Sequence, residues 1–292
     1  GVLRKGGAGL TTCNGAMTLA SDSTIVVDGG ATLTLSNTVS GSAALTASGS
    51  GTLALSAANS YSGGTTLSGP IVNLSANGAL GTGPVTVSGA GRFVIGDGLN
   101  IANAFTASTI SPTTGYGLLM VNDNTNGAVT TVSGPLQFDD SPANGGCFVG
   151  PNTSGYLNVT GPITNTVTGV VSSRSGQVRF AGGGDYTSFN LNAGTVSLGA
   201  NNGLCPNATL AVASSAAATF DLNGFNQALA GLSDGATYAE LVTNSAATPS
   251  TLTLNLSVGS TYSGVIAGNV ALVQNGSATL LLSGTNAYSG NT

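Results

Sequence analysis

Apolar and polar residues alternate over short stretches along most of this chain. In the segment Ala31–Leu35, for example, Ala and Leu alternate with Thr. A period of two is typical of a β-strand that buries one face. The pattern predicts strands at residues 23–28, 31–35, 52–55, 84–87, 92–95, 156–159, 177–180, 195–198, 209–212, 219–222, 251–256 and 278–282.

Glycine and asparagine separate these predicted strands. Pairs such as Gly29-Gly30, Asn77-Gly78 and Asn223-Gly224 mark the turns, because both residues tolerate the left-handed backbone that tight turns need. An Asn-Gly pair usually indicates an antiparallel hairpin, but the connections here are too irregular in length for a regular meander. We therefore expect an all-β fold, namely a parallel β-helix (a β-solenoid), with an array of β-sandwich domains as the alternative.

One strand-and-turn unit occurs twice. Residues 52–65 read TLALSAANSYSGGT, and residues 279–292 read TLLLSGTNAYSGNT. A repeated unit of this kind is typical of a solenoid, in which each unit buries its apolar face only by stacking on a neighbour. We expect Tyr61 and Tyr288, which are equivalent in the two units, to fill the same corner of their coils.

The composition excludes several classes of protein. The chain has 292 residues, of which 41% are hydrophobic and 5% are charged, and this combination is the opposite of a disordered chain. The net charge is −5 and the five basic residues form no stripe, so we expect no nucleic-acid partner. No apolar run is long enough to span a bilayer, so we expect no membrane insertion.

The sequence offers little catalytic chemistry. It contains no histidine, which excludes Ser-His-Asp and Cys-His catalysis and the commonest metal ligand. The segment 122–127 resembles the start of a calcium loop, but Ser133 stands where the closing acid would be required. We expect no cofactor, no metal and no enzymatic activity. The alternative, a polysaccharide-active β-helix enzyme, would have to draw on Asp123, Asp139, Asp140, Arg174, Arg179 and Asp185.

Three cysteines, Cys13, Cys147 and Cys205, lack the spacing of a metal site. In an oxidising compartment they could form an intramolecular or an intermolecular disulfide, and the odd number leaves at least one thiol free or paired with another molecule.

The repeated units resemble the autotransporter-associated β-strand repeat. The resemblance is carried by residues 51–66 and 276–292, by NGALGTGPVTV at 77–87, and by GTVSLGANNGL at 194–204 followed by TFDLNGFNQ at 219–227. It implies a right-handed parallel β-helix in a bacterial protein that is secreted or displayed on the cell surface. The resemblance is weak across residues 91–190. We therefore predict a single continuous solenoid over residues 1–292 with a less repeat-like central region.

The second copy of the repeat stops at Thr292, whereas the first continues into another apolar strand. An alignment of the copies suggests that Gly1 falls opposite Gly69. Two interpretations follow: the chain is a segment of a longer solenoid, or it is a subunit that stacks head to tail into a fibre, since uncapped strand edges template pairing. The residues expected to carry self-association are Gly1, Val2, Leu3, Leu280, Leu282, Asn286, Tyr288 and Thr292.

The function expected from these features is that of a structural stalk or surface fibre. Its expected partner is another copy of the chain or the rest of a longer chain. The alternative is an adhesin that binds a glycan or a host surface through residues 91–190. In that case aromatic side chains of the central region, Tyr116, Tyr156, Tyr186 or Phe189, would be exposed.

Overall fold

The structure is a computed structural model in which every regular element is a β-strand. It describes residues 1–89, 91–110, 119–121, 128–139, 147–151, 155–165, 170–173, 176–212, 216–235 and 238–292. Within these ranges there is no helix long and apolar enough to cross a membrane.

The strands of the N-terminal third are β1 (Val2–Lys5), β2 (Gly9–Cys13), β3 (Met17–Leu19), β4 (Ser23–Val27), β5 (Ala31–Leu35), β6 (Val39–Gly41), β7 (Leu45–Gly49), β8 (Thr52–Leu55), β9 (Thr65–Ser68), β10 (Ile71–Leu74), β11 (Val85–Gly89) and β12 (Arg92–Ile95). The central strands are β13 (Asn100–Ile101), β14 (Phe105–Ile110), β15 (Leu119–Val121), β16 (Thr130–Val132), β17 (Leu136–Asp139), β18 (Cys147–Pro151), β19 (Tyr156–Val159), β20 (Ile163–Asn165), β21 (Val170–Ser173), β22 (Gln177–Phe180), β23 (Gly184–Asp185) and β24 (Ser188–Leu191). The C-terminal strands are β25 (Gly194–Leu198), β26 (Thr209–Val212), β27 (Ala218–Asp221), β28 (Gln227–Leu229), β29 (Gly231–Asp234), β30 (Glu240–Thr243), β31 (Ser250–Asn255), β32 (Ser260–Tyr262), β33 (Val265–Gly268), β34 (Val270–Asn275), β35 (Leu280–Leu282) and β36 (Ala287–Tyr288).

These strands form three long faces of a parallel β-solenoid. The face that begins with β1 is a nine-stranded sheet ending at β23, the face that begins with β2 is an 11-stranded sheet ending at β29, and a second nine-stranded sheet runs from β13 to β36. A three-stranded sheet joins β28, β31 and β34. Two two-stranded sheets join β3 with β6 and β32 with β35. Every strand pair among the described residues is parallel. The predicted all-β solenoid is therefore confirmed, and the pairs Asn77-Gly78 and Asn223-Gly224 lie between consecutive strands.

One turn of the solenoid, called a rung below, varies in length along the chain. Val2 pairs with Thr24 and Leu45 pairs with Thr65, so a rung there takes about 20 residues, the lower limit of common repeat lengths. Phe105 instead pairs with Leu136. Val170 pairs with Ser188, so the longest and the shortest rungs both lie in the region 91–190, where the resemblance to the repeat is weak.

The core is a single cluster that follows the solenoid axis. Inward side chains of successive rungs stack in columns, such as Leu35, Leu55, Leu74 and Ile95, each directly above the last. All four are at most 1% exposed, and burial of such a side chain contributes roughly 1.5–3 kcal/mol. The inward apolar side chains of a rung are thus buried only when rungs stack, because a single rung cannot cover its own inward side chains.

Candidate stacking edges at the two ends of the solenoid

The two copies of the repeat make the same contacts within their own rung and with the preceding rung. Asn59 Oδ1 accepts a hydrogen bond from Val39 N at 2.7 Å, and Asn286 Oδ1 accepts one from Ile266 N at 2.9 Å. Each tyrosine hydroxyl also bonds the threonine four residues later, at 2.6 Å for Tyr61 and 2.8 Å for Tyr288. The equivalence of the two tyrosines that the sequence indicated therefore extends to their hydrogen bonds.

The copies differ in their contacts with the following rung. In the first copy, Asn59 Nδ2 donates to Ala79 O at 2.6 Å and Tyr61 O accepts from Thr82 N at 3.0 Å. In the second copy, Asn286 Nδ2 donates to Gly284 O of its own rung at 3.0 Å. Asn59 thus joins three rungs, whereas Asn286 joins two.

Burial differs in the same way. Leu53, Leu55 and Tyr61 are at most 1% exposed. Their equivalents Leu280, Leu282 and Tyr288 are only partly buried, although they pack against the core. We call β35, β36 and the residues that follow up to Thr292 the C-terminal rung; it presents half-covered apolar side chains, and no described strand pairs with the outer edges of β35 and β36.

The N-terminal rung, formed by β1, β2 and β3, is the other open end. Val2 is 76% exposed and Leu3 37% exposed, and Cys13 and Met17 are partly buried against the core. The end of the solenoid here is an apolar mouth of about 300 Å³, lined by Leu3, Met17, Leu19, Ile25, Val39 and Leu45 among others.

Two cations mark this N-terminal rung. Arg4 forms a salt bridge with Asp28 at 3.0 Å. Lys5 Nζ donates to the carbonyl oxygens of Gly6 and Gly7 at 2.9 and 3.0 Å, although Lys5 lies in register with the fully buried Val27. A lysine at a core-facing position of an edge strand opposes indiscriminate strand pairing.

The register of the N-terminal rung differs from the sequence alignment. Val2 lies on a ladder with Thr24, Thr46 and Thr66, so Gly1 occupies the position of Thr65 and not that of Gly69. The expected register was wrong by four residues, because strand pairing through the intervening rungs, and not local similarity, fixes the position of β1.

The predicted self-association residues therefore lie at two separate ends. Gly1, Val2 and Leu3 belong to the N-terminal rung and its mouth. Leu280, Leu282, Asn286, Tyr288 and Thr292 belong to the C-terminal rung or follow it directly. The structure brings together the members of each group, but not the two groups.

The other residues considered from the sequence form no site in the described part of the chain. Tyr186 and Phe189 are buried at 2% and 0% exposure, and Tyr186 Oη accepts from Cys205 N at 3.0 Å. Tyr156 in β19 is partly exposed. The described residues contain no group of three or more His, Cys, Asp or Glu that could hold a metal. The remaining candidates lie outside the described residues: Tyr116, Asp123, Asp140, Arg174, the side chain of Asp139 and the calcium-like segment 122–127.

Of the cysteines, Cys13 is a free and partly exposed thiol and Cys205 is free and buried. The side chain of Cys147 lies outside the description. The pairing of the cysteines remains a prediction.

One polar cluster had no signal in the sequence. Tyr262 is fully buried. Burial raises the pKa of its hydroxyl far above its usual value, and the nearby Asp234 and Glu240 carboxylates raise it further. Asp234 Oδ2 accepts from the backbone N–H groups of Ser263 and Gly264. Asp234 and Glu240 belong to the rung before that of Tyr262 and meet it only because these two rungs stack, so no spacing rule could have grouped them.

Comparison with known proteins finds one sequence family that matches both copies of the repeat. The sequence family described as passenger-associated-transport-repeat matches residues 45–69 and 272–292. No curated protein and no solved structure matches the chain significantly. The matched segments contain both Asn-Tyr-Thr units described above. Two segments of the chain are therefore similar to this repeat, which confirms the resemblance to the autotransporter-associated β-strand repeat.

Proposed function

We propose that this protein is a structural, bacterial surface-displayed or secreted β-solenoid that serves as a stalk or fibre. The repeat and the solenoid fold fit a passenger-domain-like surface protein. The observation that carries the proposal is the difference between the two copies of the repeat: Asn59 Nδ2 donates to the following rung, whereas Asn286 Nδ2 donates to Gly284 O of its own rung. Such an edge extends a rod by adding rungs.

The mechanical role follows from how the rod is held together. Backbone ladders link the rungs on every face and the core columns run along the axis. The five Lys and Arg residues also offer few cleavage sites to trypsin-like proteases, which suits exposure outside the cell. We expect the added rungs to come from another copy stacked head to tail, or from the rest of a longer chain.

The test is negative-stain microscopy and sedimentation velocity of the purified chain over a wide concentration range, with and without reductant. Fibres of uniform width that lengthen with concentration are the expected result. Short rods of constant length at every concentration would contradict head-to-tail stacking and leave the longer-chain stalk. Fibres that disappear with reductant would assign the assembly to cysteines instead of to strand edges.

A second candidate function is that of an adhesin. It is favoured by the larger rungs of the central region, such as the one between Phe105 and Leu136, and by the partly exposed Tyr156. Aromatic faces bind sugar rings by stacking. A glycan array probed with the chain and with its Tyr156→Ala variant tests this function: binding that the substitution abolishes would support it, and the absence of any binding would contradict it. The buried Tyr186 and Phe189 take no part in it.

A further inference from the structure

One face of the solenoid carries a regular grid of hydroxyl groups. It lies on the outer surface of the nine-stranded sheet that begins with β1, over the successive strands β4, β7, β9, β11 and β14. One column of the grid consists of Thr24, Thr46, Thr66, Thr86 and Thr106, each paired directly with the next. The second column lies two residues further along each strand and consists of Val26, Ser48, Ser68, Ser88 and Ser108. We call these ten residues the threonine–serine face.

The strands hold this grid outward and in a fixed register. The residues between the two columns point into the core and are at most 4% exposed; they are Ile25, Ala47, Leu67, Val87 and Ala107. The threonines and serines themselves are partly or fully exposed. A threonine is branched at Cβ, which restricts the rotation of its side chain. The hydroxyl and the methyl group of each threonine are therefore pre-ordered on a fixed backbone.

The hydroxyl groups of this face are not used within the protein. In the part of the chain that the structure describes, none of them forms a side-chain hydrogen bond with another residue. Hydroxyls elsewhere on the surface do so: Thr18 Oγ1 and Ser40 Oγ bond each other at 3.3 Å, and Ser245 Oγ donates to Asp221 Oδ2 at 2.6 Å. The donors and acceptors of the threonine–serine face are thus left for whatever lies against it.

The neighbouring 11-stranded sheet shows that this uniformity is not general. One outward column of that sheet consists of Thr32, Thr52, Ile71 and Arg92, and it mixes hydroxyl, apolar and charged side chains. The threonine–serine face contains no charged and no aromatic residue. The preference of threonine for β-strands acts on every sheet alike, so it does not explain why one face is uniform and the next is mixed.

The spacings of the grid are those of a parallel sheet. Neighbouring strands lie about 4.8 Å apart, and residues two apart on a strand lie about 6.6 Å apart. Water oxygens on the prism faces of hexagonal ice lie on a rectangular grid with spacings close to these two. A threonine hydroxyl can replace one water molecule of that grid, and the methyl group beside it favours an ordered layer of water around it.

We propose that the threonine–serine face binds ice. Its hydroxyls take the positions of water molecules at the crystal surface, so the solenoid adsorbs with this face flat against the ice. A crystalline polysaccharide is the other regular surface of this kind, but sugar rings are bound by stacking on aromatic rings, which the face lacks. Binding needs only one chain, so it is independent of the stacking of rods proposed above.

Uptake of the purified chain into slowly growing ice tests the proposal. The protein in the ice is compared with that left in the liquid, with an unrelated globular protein as reference, and crystal shape is followed by microscopy. The unmodified chain should be enriched in the ice and should produce faceted crystals. Thr66→Lys should lower the uptake about tenfold, because a protruding ammonium group at the centre of the grid separates the other hydroxyls from the ice.

Two further variants make the test specific. Thr86→Lys, at an exposed threonine of the next strand, should have the same effect as Thr66→Lys. Thr52→Lys is the matched control, because Thr52 is a partly exposed threonine on the outer surface of the neighbouring sheet, and it should leave uptake unchanged. Circular dichroism confirms that each variant is folded.

Three outcomes would overturn the proposal. The first is exclusion of the unmodified chain from ice to the same extent as the reference protein. The second is an equal loss of uptake in Thr52→Lys and in the two variants of the face. The third comes from sedimentation with powdered crystalline cellulose or chitin: binding that Thr66→Lys abolishes, without uptake into ice, would assign the face to a crystalline polysaccharide instead.

Discussion

At the residue scale, asparagine is the side chain that connects rungs. Its amide carries an acceptor and two donors, so it can bond a rung below and a rung above at once. Asn59 does so between Val39 N and Ala79 O. Asn244 does the same, accepting from Gly224 N at 2.8 Å and donating to Asn269 O at 2.9 Å. Both are nearly buried, at 7% and 6% exposure, so their partners have no water to replace them.

The two copies of the repeat provide a matched test of this role. Asn59→Ala should lower the free energy of unfolding by about 2–4 kcal/mol, because it leaves one buried donor and one buried acceptor without partners. Asn286→Ala should cost about 1 kcal/mol, since it loses one bond to the preceding rung at a partly buried edge. Urea unfolding followed by circular dichroism measures both values at a concentration where the chain is monomeric. Equal losses in the two variants would contradict a three-rung role for Asn59.

At the scale of the strand and its corner, glycine is required where successive rungs approach each other closely. A Cβ added to Gly134, Gly161 or Gly182 would lie 1.8, 2.0 and 2.0 Å from a carbonyl oxygen of the rung below. None of the three has a left-handed backbone. The space between rungs, and not the turn conformation, therefore selects glycine at this corner.

Alanine substitution tests that distinction. Gly161→Ala should destabilise the protein by about 1–3 kcal/mol, because the backbone must move to admit the methyl group. Gly15→Ala is the control, since no atom lies within 4 Å of the added Cβ, and it should change stability by about 0.5 kcal/mol or less. Comparison of urea midpoints would show whether the close approach matters, and similar midpoints for the two variants would argue against it.

At the scale of the whole molecule, three buried tyrosines along the solenoid link its stability to pH. Burial raises the pKa of Tyr61 to about 12, with the hydrogen bond to Thr65 partly opposing the shift. Burial also raises the pKa of Tyr186 and of Tyr262 strongly, and the Asp234 and Glu240 carboxylates add to the shift of Tyr262. In the unfolded chain each hydroxyl ionises near its usual pKa of about 10.

Because the folded-state pKa values are raised, the contribution of these tyrosines to stability is fully present below pH 10 and is lost above it. Tyrosine ionisation should leave the urea midpoint unchanged from pH 7 to about 9. Above pH 10 the midpoint should fall steeply. Phenolate absorbance of the buried tyrosines should appear together with unfolding. The variant Tyr61→Phe should show a shallower alkaline decline, and an identical decline in the variant would rule out a contribution from Tyr61.

The sequence predicted much of the fold because the signals that carry it are local. The predicted strands at 31–35, 52–55, 92–95, 156–159, 177–180 and 209–212 coincide with observed strands. Alternation of side chains within one strand decides these bounds. The repeated motif that contains Leu280, Leu282, Asn286 and Tyr288 was also visible in the sequence, because it occurs twice; that these residues carry self-association stays a prediction.

Local signals did not decide which residues meet across rungs. Three features depend on how many residues each rung contains: the place of Gly1 on the same ladder as Thr65, the burial of Tyr186, and the cluster of Asp234, Glu240 and Tyr262. Rung length is set by the fit of every corner and loop to the rung below. The sequence by itself determined the strands, the parallel solenoid and the repeated motif, because period and repetition are properties of the chain. Only the tertiary structure decided the register and the shape of the two ends, because pairing between rungs depends on all the contacts between them together.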